Sequence, residues 1–272
     1  MQSTSRESLL AVREWFESQL RDADESTLWT LGDELGSVTA LLARERPLRR
    51  ALADSSTEPE ARQSLVSELF ANQIAAASIE ALRKVAAARW SNAQDVLSTV
   101  ELLGRLPMLA VAERAGNTDE IEDELFRFER ILDSDPRLER LLSDEQAAAD
   151  QRIGLLDNLI SEKVKPATRE LLAQLVRTPR GRELSTLVTE VAELAAARRE
   201  ESIAHVTAAA ALSTAQEQRL GDVLSRIYGR RVSVRVDIDP DVVGGLVVRI
   251  GDEVIDGSLA SKLAKARQEL HG

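Results

Sequence analysis

Shifted by 90 positions, the chain aligns with itself without a gap: DELGSVTALLARERPLRRALAD, beginning at Asp33, falls on DELFRFERILDSDPRLERLLSD, beginning at Asp123. Identical pairs include Asp33/Asp123, Glu34/Glu124, Leu35/Leu125, Leu42/Leu132, Leu48/Leu138, Arg50/Arg140, Leu52/Leu142 and Asp54/Asp144. The same register continues through Arg62/Arg152, Leu65/Leu155, Leu69/Leu159, Glu80/Glu170 and Leu82/Leu172. Shared Leu-rich helical composition matches two segments over a turn or two. One register held across several helices and a loop requires duplication of a whole structural unit.

The repeated unit is helical. Leu35, Val38, Leu41 and Leu42 in the first copy, and Leu125, Phe128, Ile131 and Leu132 in the second, recur at the spacing that lines one helix face. The pattern predicts helices near 4–21, 25–43, 47–53, 59–70, 75–89 and 93–114, then near 118–133, 136–143, 147–160, 166–177 and 182–199. Pro47, Pro59, Pro136 and Pro166 stand at helix starts, where a missing N–H costs nothing. The second copy lacks an opening helix of its own. Residues 102–115, stopped by Gly116 in a position suited to a left-handed cap, serve to close the first bundle and open the second.

Composition narrows the chemistry. The chain of 272 residues has 43% hydrophobic and only 3% aromatic residues, a Leu/Ala/Val palette suited to closely packed helices. A formal charge of -11 and the lack of a basic stripe argue against nucleic acid. The one dense basic run, Arg44, Arg46, Arg49 and Arg50 around Glu45, reads first as a solvated helix face or ion-pair cluster and second as a contact for an anionic partner. Without cysteine there is no disulfide, iron-sulfur cluster or thiol nucleophile. The N-terminus lacks the apolar core of a signal peptide and no run approaches a bilayer span, so a soluble cytoplasmic protein that reaches a membrane only through partners is expected. His205 and His271 have no partners at ligand spacing, so neither a metal nor a catalytic role is expected. Trp15, Trp29 and Trp90 are expected in the first bundle's core, with a partner-facing role as the alternative.

The pattern changes after the AAARREE stretch at 195–201. A strand is expected within 203–211. A Ser213/Gln216 capping box then opens a helix faced by Leu220, Val223, Leu224 and Ile227 and stopped at Gly229. Val232, Val234, Val236 and Ile238 alternate with polar residues as a half-buried strand does, Gly251-Asp252 makes a hairpin turn, and Ser258 caps a last helix. The fold expected is mainly α: a duplicated N-terminal helical bundle followed by a small mixed α/β module. The expected domains are 1–114, 102–200 with a shared helix, and 201–272.

The segment VDIDPDVVGGLVVRIGDEVIDGSLASKL, residues 236–263, resembles the C-terminal signature of the ATP synthase delta subunit family, which includes the mitochondrial oligomycin sensitivity-conferring protein. The resemblance is carried by Asp239, Gly244-Gly245, the apolar strand 246–250, Gly251-Asp252, Asp256-Gly257-Ser258 and Leu263, and it extends into the helical region over 102–200. Family members usually carry one bundle. The doubled form is similar to that of actinobacterial relatives, some of which are fused to a membrane-anchored stalk subunit; the lack of an anchor here is read as pointing to a separate stalk chain.

The resemblance implies a non-catalytic stator subunit, without cofactor or metal, peripheral on the cytoplasmic face of the cell membrane, that joins alpha subunits of the catalytic head to stalk subunit b. It implies that the groove between a bundle's first and fifth helices receives an N-terminal helix of an alpha subunit. In the second copy that groove draws on Leu106, Leu109, Leu172, Leu175 and Val176, and in the first on Val12, Phe16, Leu82 and Val85; core packing is the competing reading for each. The C-terminal module would hold subunit b through Leu259, Leu263 and Leu270. A generic helical adaptor of another complex is the alternative. A phosphate-cradling role for the glycines fails because neither G-x-G-x-x-G nor G-x-x-x-x-G-K-[ST] is present and Asp241, Asp252 and Asp256 would repel phosphate.

Overall fold

A computed structural model of the chain describes residues 2–201, 203–228, 232–239, 242, 245–251 and 253–256. These fall into two compact units, residues 1–193 and 194–272. In the first, the elements are α1 (Ser3–Asp22), α2 (Glu25–Arg44), α3 (Arg46–Ala53), α4 (Pro59–Phe70), α5 (Ala76–Ala87) and α6 (Ala93–Ala115). They continue with α7 (Thr118–Ser134), α8 (Pro136–Ser143), α9 (Ala149–Ile160) and α10 (Pro166–Arg177), and α11 (Leu184–Glu201) begins in the first unit and ends in the second.

The duplication is visible atom by atom. Glu34 of α2 accepts from the backbone N–H of Ala75 (3.0 Å) and from the Ser78 hydroxyl (2.5 Å), both at the start of α5. Shifted by 90 positions, Glu124 of α7 accepts from the N–H of Lys165 (2.9 Å) and the Thr168 hydroxyl (2.5 Å) at the start of α10. A carboxylate here satisfies donors that a helix N-terminus leaves unmet and meets the positive end of its dipole. The helix C-termini are treated the same way. Arg62 donates to the carbonyls of Asp54 (2.9 Å) and Ala87 (3.3 Å), and Arg152 to those of Leu142 (3.4 Å), Val176 and Arg177 (3.5 Å). One guanidinium thus joins the end of a short helix to the end of a long one, in each copy.

Moved by 90 positions, α1 lands on α6. Helix α6 packs against α1, α2, α3, α5, α7 and α10, which accounts for its almost continuous burial from Val96 to Ala112. Asn92 caps its first turn through Gln94 and Asp95 N–H, and Gly116 ends it at φ 70°, its N–H and that of Asn117 closing on Glu113 and Ala112 carbonyls. Pro107 sits inside α6, where it removes the hydrogen bond to the carbonyl four residues earlier; the aligned residue of α1 is Glu17.

The second unit contains β1 (Ile203–Ala208), α12 (Thr214–Tyr228), β2 (Ser233–Ile238), β3 (Leu246–Ile250) and β4 (Glu253–Asp256) in the sheet order β2-β1-β3-β4. β1 and β2 are parallel, as a crossover through α12 requires, while β1/β3 and β3/β4 are antiparallel. Ser213 and Gln216 form the reciprocal capping box at the head of α12. Ala204, Val206, Val248 and Ile250 point from one sheet face to Leu224, with Leu220 and Tyr228 of α12 packed beside them. The sequence-based strand over 203–211 is shortened to Ala208, where the Asp239 N–H closes on the Ala208 carbonyl.

Candidate partner-binding surfaces

The apolar residues assigned to the two first/fifth-helix grooves are all core. Leu106, Leu109, Leu172, Leu175 and Val176 in α6 and α10, and Val12, Phe16, Leu82 and Val85 in α1 and α5, are buried. None presents a free apolar surface in this chain, because the stripe that defines each helix is turned toward its own bundle. Leu259, Leu263 and Leu270 lie outside the described residues, as do Gly244, Gly257 and Ser258.

On the outer side of α6 and α10 the second copy is already covered, by α2 of the first. Gly32 and Gly36 of α2 bring its backbone onto α6, where Gly104 faces them. A Cβ added at Gly104 would stand 3.2 Å from the Gly36 nitrogen, and one at Gly32 would stand 2.7 Å from the Met108 methyl. The crossing is fastened by Gln174 of α10, buried, whose Nε2 donates to the carbonyls of Gly32 (3.0 Å) and Gly104 (3.2 Å). The aligned residues of α7 in the second copy are Glu122 and Phe126, which cannot approach so closely. Glycine spacing in α2 was readable, but its partners were not.

The aligned outer face of the first copy, on α1 and α5, is different. Where the second copy has Arg105 and Gln174, the first has Trp15 and Lys84, and where it has Gly104 there is Glu14. Trp15 is half-buried with the Lys84 ammonium 5.5 Å from its ring centroid, a cation-π contact at the surface; Glu14 and Lys84 are exposed. The other tryptophans divide: Trp90 is buried and donates to the Val85 carbonyl (2.8 Å), whereas Trp29 is half-buried beside Glu25.

Electrostatics at the covered seam carry a testable consequence. Burial pushes the Glu170 carboxyl of α10 up from its ordinary 4.5, against the opposing pull of Arg177, with Asp33 of α2 adding to the rise. Glu170 Oε1 has no hydrogen-bond partner and stands 3.9 Å from Arg177 Nη1. A carboxyl whose folded pKa is raised stabilises fully below its unfolded value and loses that contribution as pH rises through the folded value. Glu170→Gln is therefore expected to raise the melting temperature at neutral pH, with the gain over the parent shrinking as pH falls toward the unfolded carboxylate value. Melting curves taken across that range check it, and a gain independent of pH would refute it.

In the second unit, the sheet face opposite α12 opens on a recess of about 670 Å³ lined by Ala197, Glu200, His205, Thr207, Asp237, Val247, Arg249 and Gly251. Val223 and Ile227 of α12, Ile238 of β2, and Val254 and Ile255 of β4 are exposed apolar residues of the same unit. Of the signature residues, Gly245 and Gly251 take φ 98° and 54°, conformations that favour glycine, Asp256 pairs with Val247 across β3/β4, and the Asp239 carbonyl accepts from the Val242 N–H. Among the described residues, no group of three or more His, Cys, Asp or Glu side chains is arranged to hold a metal, and no helix is long and apolar enough to cross a membrane.

The described residues form a doubled helical bundle and a small α/β module. The chain belongs to the ATP synthase delta (OSCP) subunit family: the family's sequence model matches residues 108–270. That match begins inside α6 and so takes in the second copy and the module. The first copy is covered by longer relatives. "ATP synthase subunit delta" of Streptomyces griseus is 40% identical over 272 residues, all of both chains, and that of Streptomyces avermitilis is 41% identical over 98% of this chain and 97% of its own. "ATP synthase subunit b-delta" of Mycobacterium sp. (strain KMS) is 47% identical over 99% of this chain, which spans 61% of that protein's length. A chain of the Toxoplasma gondii mitochondrial ATP synthase hexamer is similar at 23% identity, covering 62% of this chain and 95% of its own, with a TM-score of 0.29.

Proposed function

We propose that this chain is the non-catalytic stator subunit that holds alpha subunits of the ATP synthase head to stalk subunit b, and that it reaches the cytoplasmic face of the membrane only through these partners. The observation that carries the reading is the end-to-end match to chains named ATP synthase subunit delta. The name b-delta borne by longer relatives supports b as the neighbour of the C-terminal module. A stator needs adhesion rather than reaction chemistry, and adhesion draws on apolar faces flanked by orienting charge.

Within this reading the two bundles, 1–114 and 102–200, are not equivalent. The α6/α10 face is covered in cis by the glycine face of α2, while the α1/α5 face presents Trp15 between Glu14 and Lys84. We assign head docking to the first copy for that reason, with the second acting as the strut that carries the module. The test is a pull-down from detergent-solubilised membranes with the tagged full chain and with a Trp15→Ala/Lys84→Glu variant. The parent is expected to recover alpha and b, and the variant to recover b with several-fold less alpha. Recovery of neither by the parent sinks the stator reading; equal alpha recovery by the variant sinks only the docking assignment.

A further inference from the structure

The basic run noted in the sequence opens on a recess of about 390 Å³ where the C-terminal ends of α2 and α10 come together, lined by Arg44, Arg46, Arg49, Arg152, Arg177 and Arg180 against a single acidic side chain, Glu145. Ala40, Leu97 and Pro179 supply its apolar wall. In a chain of net charge -11, six guanidiniums around one cavity are a local inversion of sign.

Part of this charge has structural employment. Arg49 Nη1 donates to the Leu42 (2.5 Å) and Ala43 (2.8 Å) carbonyls at the end of α2, Arg152 holds the ends of α8 and α10, and Arg180 pairs with Glu101. Cations at helix C-termini are favourable, because the last carbonyls carry partial negative charge. Glu145, the lone acid, is engaged by the Gly181 N–H (2.8 Å). The rest is less engaged. Arg44 and Arg46 are exposed and have no side-chain partner among the described residues, and Arg177 Nη1 makes no hydrogen bond, its nearest acid being Glu170 Oε1 at 3.9 Å. Thr178, only 8% exposed, lines the recess with a hydroxyl that makes no hydrogen bond among the described residues.

We infer that this recess is an oxyanion site for a small polyphosphate, with Arg44, Arg46 and Arg177 supplying charge-assisted donors and Thr178 Oγ1 a neutral one. Guanidinium groups match phosphate oxygens in forked geometry, and a buried hydroxyl without a partner costs free energy that a bound oxygen recovers. Like charges crowd here: burial first, and then Arg46, Arg180 and Arg50, pull the Arg49 guanidinium below its ordinary pKa. A recess of about 390 Å³ has room for a compact ion, and the peptide arm of the test separates that from an extended acidic segment. The phosphates come either from a free inorganic ion or from a nucleotide.

The test is isothermal titration of the full chain with pyrophosphate, ADP and a glutamate-rich peptide at constant ionic strength, with sodium chloride as control. The variants are Arg44→Gln/Arg46→Gln, both exposed and expected to fold, and Thr178→Val. Saturable pyrophosphate binding that weakens about tenfold in the arginine variant, a loss of about 1.4 kcal/mol, is the expected result. ADP binding no tighter than pyrophosphate identifies the inorganic ion as the occupant, and tighter ADP binding identifies the nucleotide; both keep the site. Binding of the peptide without pyrophosphate, affinity unchanged in the arginine variant, or no saturation beyond the salt control overturns the proposal.

Discussion

Gly104→Leu is expected to destabilise the helical unit by about 3 kcal/mol, at the upper end of what overpacking costs. At this position the first atoms a side chain meets are backbone: the Gly36 nitrogen at 3.2 Å and the Leu35 carbonyl carbon at 3.4 Å. Two helix backbones cannot step aside as a flexible side chain does, so α2 must lift from α6 and the Gln174 bonds to Gly32 and Gly104 go with it. Gly36→Leu should cost less, because its Cβ meets the Gln174 side chain at 3.1 Å, which can shift. Gly154→Ala in α9 is the control: nothing lies within 4 Å of its added Cβ, so removing glycine from a helix interior should stabilise by roughly 0.5–1 kcal/mol. Urea unfolding followed by circular dichroism ranks the three. A Gly104→Leu protein as stable as the Gly154→Ala control would show that the crossing is not close.

Arg152→Ala is expected to cost about 3–4 kcal/mol, since it leaves the buried carbonyls of Leu142 and Val176, together with the half-buried one of Arg177, without the donor they share. Arg152→Lys should recover little of this, because one ammonium cannot reproduce a planar fork reaching two helix ends. Arg62→Ala removes the aligned joint in the first copy, between the Asp54 and Ala87 carbonyls. All three tryptophans, Trp15, Trp29 and Trp90, belong to the first copy, so their fluorescence reports on it alone while circular dichroism reports on both. Because α6 packs against helices of both copies, Arg152→Ala is expected to shift the two probes together. A loss under about 1 kcal/mol would mean that water meets the freed carbonyls and that the joint is not buried.

Much of the fold was legible because its signals are local. The prolines at 47, 59, 136 and 166 start helices in the structure, Gly116 ends one in the left-handed conformation, and Ser213 with Gln216 caps α12. The 90-position register carried more than helix positions, since Glu34/Glu124 and Arg62/Arg152 were aligned as identities and proved to be matching joints. Their function as joints was hidden, because the carbonyls and N–H groups they meet lie tens of residues away. Pro107 lies inside the helix expected near 93–114 and inside α6, whose packing on several neighbours keeps its course through the loss of one hydrogen bond.

The surfaces were the least legible part. Leu106, Leu109, Leu172, Leu175 and Val176 form an apolar stripe that a sequence shows without its direction, and the structure turns it inward. The arginine run at 44–50 gave half of a basic recess whose other half, Arg152, Arg177 and Arg180, comes from the second copy.

By itself the sequence determined the helices of the bundles, their ends, their duplication and the order of the described elements from β1 to β4, because periodicity, capping and backbone restriction act over a few residues. Tertiary structure decided that α6 is held by both copies, that α2 covers the outer face of α6 and α10, and that six arginines meet around one cavity. Each of these depends on two distant backbones approaching within a few ångströms, and the glycines, prolines and charges that permit the approach do not encode which partner will be there.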